Sequence, residues 1–151
     1  MTDLTTRFVT ADDKAEWRVL FDGYADFYKV ARNDTTAEQV WQWLLDPDHV
    51  LEGLLTRDGA GQAVGMAHVR ACPRSLGGCD IGFLDDMFVL PQARGSGAAD
   101  ALFDTLRDLA AARGWPAIRW ITQHFNYRGR AFYDHYTDGP SDFIMYQWQL
   151  D

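Results

Sequence analysis

The chain has 151 residues, 47% of them hydrophobic and 14% aromatic, which suits one well-cored domain spanning 1–151 rather than two. A formal net charge of −8 speaks against a phosphate-binding nucleic-acid partner, and no stretch reaches the roughly 18 apolar residues of a membrane-spanning helix. A field of that sign suits solubility and is compatible with a cationic ligand. Cys72 and Cys79 form no C-x-x-C pair and no zinc pattern with His49, His68, His124 and His135, so no metal is expected. Met1 to Thr6 is polar and short, unlike a signal peptide, and a reduced cytoplasmic protein without a Cys72–Cys79 bridge is expected.

Arg7-Phe8-Val9 predicts a short opening strand, and Thr10 with Asp13 offers a helix start. Trp17, Leu20, Phe21, Tyr24, Phe27 and Tyr28 then recur at helical spacing, one buried face. Thr35 to Glu38 reads as a second capping box, followed by Val40, Trp41, Leu44 and Leu45, with Pro47 as the stop. His49 to Thr56 and Ala63 to Val69 predict an antiparallel hairpin about the Asp58–Gly61 turn. After the Pro73–Gly78 turn, Ile81 to Leu90 predicts a strand interrupted by Asp85-Asp86. Ala98 to Arg113 carries a helical stripe ending at Gly114, and Pro116 blocks continuation. Ala117 to Thr122 reads as a strand, Asn126 to Tyr136 as a short helix, and Phe143 to Leu150 as a last strand. That order predicts an α/β (mixed α+β) fold: one central twisted sheet, mixed and mostly antiparallel, flanked by helices.

The most telling segment is Val89-Leu90-Pro91-Gln92-Ala93-Arg94-Gly95-Ser96-Gly97-Ala98-Ala99-Asp100, a strand running through a glycine loop into a long helix. First-turn amides of a helix lack intrahelical acceptors, the helix dipole attracts anions there, and glycines let a phosphate approach the backbone. Arg94 adds a guanidinium that can fork onto phosphate oxygens. No Gly-Lys-Ser/Thr follows, so this is not a Walker A loop, and Asp100 stands where a third Rossmann glycine would be. Arg94 to Ala99 resembles the Q/R-x-x-G-x-G/A signature of the GNAT superfamily of N-acetyltransferases, with Ala99 in place of the last glycine.

That resemblance implies the GNAT fold, with parallel strands 4 and 5 splayed to admit coenzyme A, and acetyl-CoA as co-substrate. It implies that amides of Gly95, Ser96, Gly97, Ala98, Ala99 and Asp100 cradle the pyrophosphate. Backbone groups of Met87, Phe88 and Val89 would meet the pantetheine arm. Asn126 would hydrogen-bond the same arm, with Tyr133 of the Phe132-Tyr133 pair as the general acid to the departing thiolate. Arg128 and Arg130 are candidates for the coenzyme A phosphates.

Asp85 and Asp86 break an apolar strand, and plain alternation sends them to opposite faces with one in the cleft. A carboxylate there would attract an ammonium group and help remove its proton. The Leu84-Asp85-Asp86-Met87-Phe88-Val89 run is similar to the Leu-Glu-Asp-Phe-Phe-Val run of the spermidine/spermine branch, although the segment from Tyr136 to Pro140 is shorter than the loop of that branch. Tyr24 and Tyr28 are candidate substrate contacts, since the N-terminal helices of the family wall the acceptor site. The expected activity is acetyl transfer to a polyamine, a diamine or an amino-acid-like amine, by direct attack in a ternary complex. A protein N-terminus or lysine as acceptor, and a non-catalytic coenzyme A module, stand as alternatives. A homodimer is expected from the family.

Overall fold

The computed structural model describes residues 3–151, with Met1 and Thr2 outside the described residues. The elements in order are β1 (Thr5–Phe8), α1 (Lys14–Phe27), α2 (Asp34–Leu45), β2 (Leu51–Arg57), β3 (Ala63–Arg74), β4 (Cys79–Val89), α3 (Ala98–Arg113), β5 (Ile118–Arg119) and α4 (Tyr127–Tyr136). Among the described residues the strands form one sheet in the order β1-β2-β3-β4-β5. The first four strands pair antiparallel and β5 joins β4 in parallel. One contiguous unit runs to Trp120, and a second comprises Ile121–Asp151.

Strand alternation sorts the core of the first unit. Leu55, Val64, Met66 and Phe88 join Trp17, Leu20 and Trp41 in one cluster, so α1 and α2 cover that face. On the opposite face Leu54, Ala67, Val69 and Leu84 are buried, and Leu102 of α3 packs against Gly65. Gly82 is required by close approach: a Cβ there would lie 2.7 Å from the ring of Trp115.

Capping sets where the helices start. The Thr10 amide donates to the Asp13 carboxylate at 2.8 Å, closing a short 3-10 turn ahead of α1. α2 starts earlier than the expected Thr35–Glu38 box. Its N-cap is Asn33, whose Oδ1 accepts from the Thr36 amide at 2.9 Å. An asparagine in extended conformation is as good a cap as any residue nearby, so it takes the position.

Two expected strands differ. Ala117–Thr122 contracts to Ile118–Arg119, paired only with Gly82 and Phe83. From Leu84 to Val89 this edge of β4 therefore has no strand beside it among the described residues. Phe143 to Leu150 forms no strand at all, and its apolar side chains are exposed. An apolar run alone does not make a strand; a ladder partner must satisfy the backbone.

Candidate active site

The loop between β4 and α3 has the local geometry of an anion cradle. Gly95 (φ +81°) and Gly97 (φ +94°) both occupy the left-handed region, and Gly97 is the N-cap of the sixteen-residue α3. A side chain at either position would be strained whatever the space around it. Behind them the Ala93 amide bonds the Leu90 carbonyl and the Ser96 amide bonds the Ala93 carbonyl, which holds the turn. The Ser96 hydroxyl is buried and has no hydrogen-bond partner among the described residues. A buried hydroxyl without an acceptor or donor is costly, and a phosphate oxygen would relieve it. The residues present therefore fit a diphosphate. Arg94 lies beside them, its guanidinium 6.0 Å from the Phe88 ring centre.

Upstream, β4 carries an irregularity that alternation does not reveal. His68 on β3 pairs with Asp86, yet the next β3 residue, Val69, pairs with Leu84. Asp85 is the extra residue of a β-bulge. The expectation that the two carboxylates point oppositely is overturned by it. Asp85 receives Arg70 Nε at 2.8 Å, and Asp86 meets His68 Nδ1 at 2.8 Å. His68 and Arg70 stand two apart on β3 and so share a face, the one covered by α1. The bulge brings both acids to that side. Arg70 also lies over the Phe83 ring at 4.7 Å.

The two acids differ in setting. Burial pushes the Asp85 carboxyl above its ordinary range against the opposing pull of Arg70, and the charge of Asp86 adds to the rise. Burial pushes Asp86 the same way, but the His68 hydrogen bond and the Tyr24 hydroxyl outweigh it and hold Asp86 below its ordinary range. The Asp86 side chain keeps 26% of its surface exposed, so one side remains reachable. Tyr24 is pushed far up, first by burial and then by Asp86, and Tyr28 is raised by burial too. The Tyr24 and Tyr28 rings meet edge to face at 5.0 Å, and Tyr24 meets Phe88 at 6.4 Å. Four sequence candidates, Tyr24, Tyr28, Asp85 and Asp86, thus cluster around the bulge. His68, together with Trp17 behind it, joins them without having been singled out. A histidine within the apolar Ala63–Val69 run was the available signal.

In the second unit Asn126 caps α4. Its Oδ1 accepts from the Gly129 amide at 3.2 Å and its Nδ2 donates to Thr122 Oγ1 at 3.0 Å. Arg130 donates to the His124 carbonyl at 2.7 Å. Tyr133 is half-buried on α4, its ring 5.9 Å from that of Phe132. Met87 and Val89 are partly exposed at the end of β4 beyond its pairing with β5, while Phe88 is buried under α1.

Residues 17–136 match the acetyltransferase (GNAT) family. D-amino-acid N-acetyltransferase HPA3 of Saccharomyces cerevisiae is 27% identical over 131 residues, 86% of this chain and 81% of that protein. Among solved structures, a ribosomal-protein-alanine N-acetyltransferase from Brucella melitensis biovar Abortus 2308 superposes with a TM-score of 0.78 at 27% identity, covering 99% of each chain. The aminoglycoside N-acetyltransferase AAC(6')-Iy in complex with CoA has the same fold, with a TM-score of 0.82 at 17% identity over 99% of this chain and 96% of that one.

Proposed function

The chain belongs to the acetyltransferase (GNAT) family, and on that footing we propose that it acetylates a primary amine of a small molecule, a polyamine, a diamine or an amino-acid-like amine, using acetyl-CoA. The observation that carries the acceptor class is the bulge that turns Asp85 and Asp86 to one face, beside Tyr24 and Tyr28. A free ammonium group has a pKa near ~10.4 and must lose a proton before its nitrogen can attack. Asp86, ionised and partly exposed, attracts the ammonium; Asp85, with its raised carboxyl, takes up the proton directly or through water. The HPA3 relative acts on D-amino acids by its name, which supports a compact amine over a protein side chain.

Acetyl-CoA, when bound, supplies the acetyl group as a thioester open to attack by nitrogen. Arg94, the Ser96 hydroxyl and the amides of Gly95 through Asp100 hold its diphosphate, and the unpaired edge of β4 at Met87, Phe88 and Val89 lines its arm. Asn126 and Arg130 belong to the proposed cofactor site as well, and both already hold local bonds that a ligand would share or replace. Tyr133 gives its phenolic proton to the departing sulfur.

The family match crosses from the first unit into the second, which supports reading 1–151 as one catalytic domain. A cytoplasmic homodimer is part of the proposal. Exposed Phe143, Ile144, Met145, Tyr146 and Trp148 support association between copies.

The test is thiol release from acetyl-CoA with a panel of amines: putrescine, spermidine, D- and L-amino acids, an aminoglycoside and a peptide with a free N-terminus. Turnover with small amines is expected. Turnover confined to the peptide would overturn the acceptor class, and an unchanged rate in Tyr133→Phe would remove the acid role.

A further inference from the structure

Behind the bulge lies a buried polar chain. His68 is fully buried, its side chain 1% exposed, between α1 and the bulged strand. Trp17 Nε1 donates to His68 Nε2 at 3.0 Å, and His68 Nδ1 meets Asp86 Oδ2 at 2.8 Å. An indole nitrogen can only donate. It therefore obliges Nε2 to accept and leaves the ring proton on Nδ1, aimed at the carboxylate. Phe21 closes the side, with ring centres 6.1 Å apart.

An imidazole in an apolar cluster is an expensive way to fill volume; a leucine or methionine costs no desolvation of polar atoms. What the imidazole provides here is direction. One Asp86 oxygen is held by a donor whose tautomer and ring plane are both locked, so the exposed part of the carboxylate is presented in one orientation. The arrangement has the logic of outer partners that orient a working group.

We propose that His68, locked by Trp17, is a positioning residue that holds Asp86 ionised and aimed at the acceptor amine. The inference rests on the proposed role of Asp86. Other titratable groups facing Asp86 are Tyr24 from α1, Tyr28 at the C-cap of α1 and Asp85 from β4, which is itself paired with Arg70 of β3.

The experiment uses the full chain and the best amine from the panel, with His68→Leu, His68→Asn, Asp86→Asn and the double variant His68→Leu/Asp86→Asn. Asparagine keeps a donor near the Nδ1 position, so His68→Asn serves as the conservative rescue, and the tautomer of the wild-type ring is the measurement that stands should His68→Leu fail to fold. In His68→Leu the amine KM rises tenfold or more while the acetyl-CoA KM stays within about twofold, and His68→Asn recovers most of the loss. The acidic limb of kcat/KM for the amine moves to higher pH in His68→Leu. The double variant is no worse than Asp86→Asn alone, as expected for residues acting as one unit. Nitrogen NMR of the wild type places the ring proton on Nδ1.

Folded His68→Leu with wild-type amine KM, kcat and pH profile overturns the proposal, and so do a wild-type ring proton found on Nε2 and fully additive losses in the double variant. If Asp86→Asn also acetylates the amine normally, the acceptor reading of Asp86 falls as well. If Asp86→Asn is impaired while His68→Leu is not, only the positioning role falls.

Discussion

Replacing Asp13 by alanine tests how α1 is anchored, and α1 carries Trp17 and Tyr24 and ends at the Tyr28 cap. The Asp13 side chain is 4% exposed and accepts Arg57 Nη2 at 2.6 Å, Arg7 Nη1 at 2.7 Å and the Thr10 amide at 2.8 Å. Arg7 is half exposed, so its pair adds at most about 1 kcal/mol. Arg57 is 16% exposed, and stranding a buried charge costs about 3–5 kcal/mol. Glu16 remains on Arg57 at 2.7 Å and softens that cost to the lower end. Loss of the cap adds about 1 kcal/mol. The sum is about 4–5 kcal/mol, read by urea denaturation as a lower midpoint at unchanged slope. A loss under about 1 kcal/mol would refute the reasoning.

The same site has a pH signature. The Arg7 hydrogen bond, against burial, holds the Asp13 carboxyl far below its ordinary range. A group depressed in the folded state stabilises fully above its unfolded pKa, near ~3.9, and loses that contribution as pH falls toward the folded value. Wild type should therefore lose stability more steeply than Asp13→Asn below about pH 4. Parallel curves between pH 5 and pH 3 would contradict this.

Gly82→Ala should cost about 1–3 kcal/mol in a thermal melt and shift tryptophan emission, because its Cβ would strike the Trp115 ring. Ser96→Ala should leave the free protein as stable as before, since no hydrogen bond is lost, while coenzyme A affinity by calorimetry falls severalfold. Gly97→Ala should weaken coenzyme A binding about tenfold at a cost of about 1 kcal/mol in the free protein, φ +94° being poorly tolerated by alanine. Tyr24→Phe removes a hydroxyl that lowers the Asp86 carboxyl, so the acidic limb of kcat/KM should move to higher pH.

Features written as local periodicity were readable in advance. Helix α3 begins and ends where its stripe, Gly97 and Gly114 predict, because a fourfold rhythm bounded by glycines has no rival conformation. The glycine loop was readable for the same reason: an anion site at a helix start is built from consecutive residues. The bulge was not. It exists because Val69 pairs with Leu84, a relation between strands that leaves no mark on β4 alone. His68 was missed since its meaning depends on Trp17, 51 positions away. The 143–150 segment shows the converse error, an apolar run without a ladder.

Asp85, as the odd residue of β4, is an addition that the framework does not need. Delete it and Leu84 still meets Val69 while Asp86 still meets His68, now as consecutive pairs of a regular ladder. Phe88 stays opposite Met66 under α1, and the hydrophobic interior keeps its register. The acid is a graft on an otherwise ordinary strand, so this region can gain or lose it by a change of length as readily as by substitution.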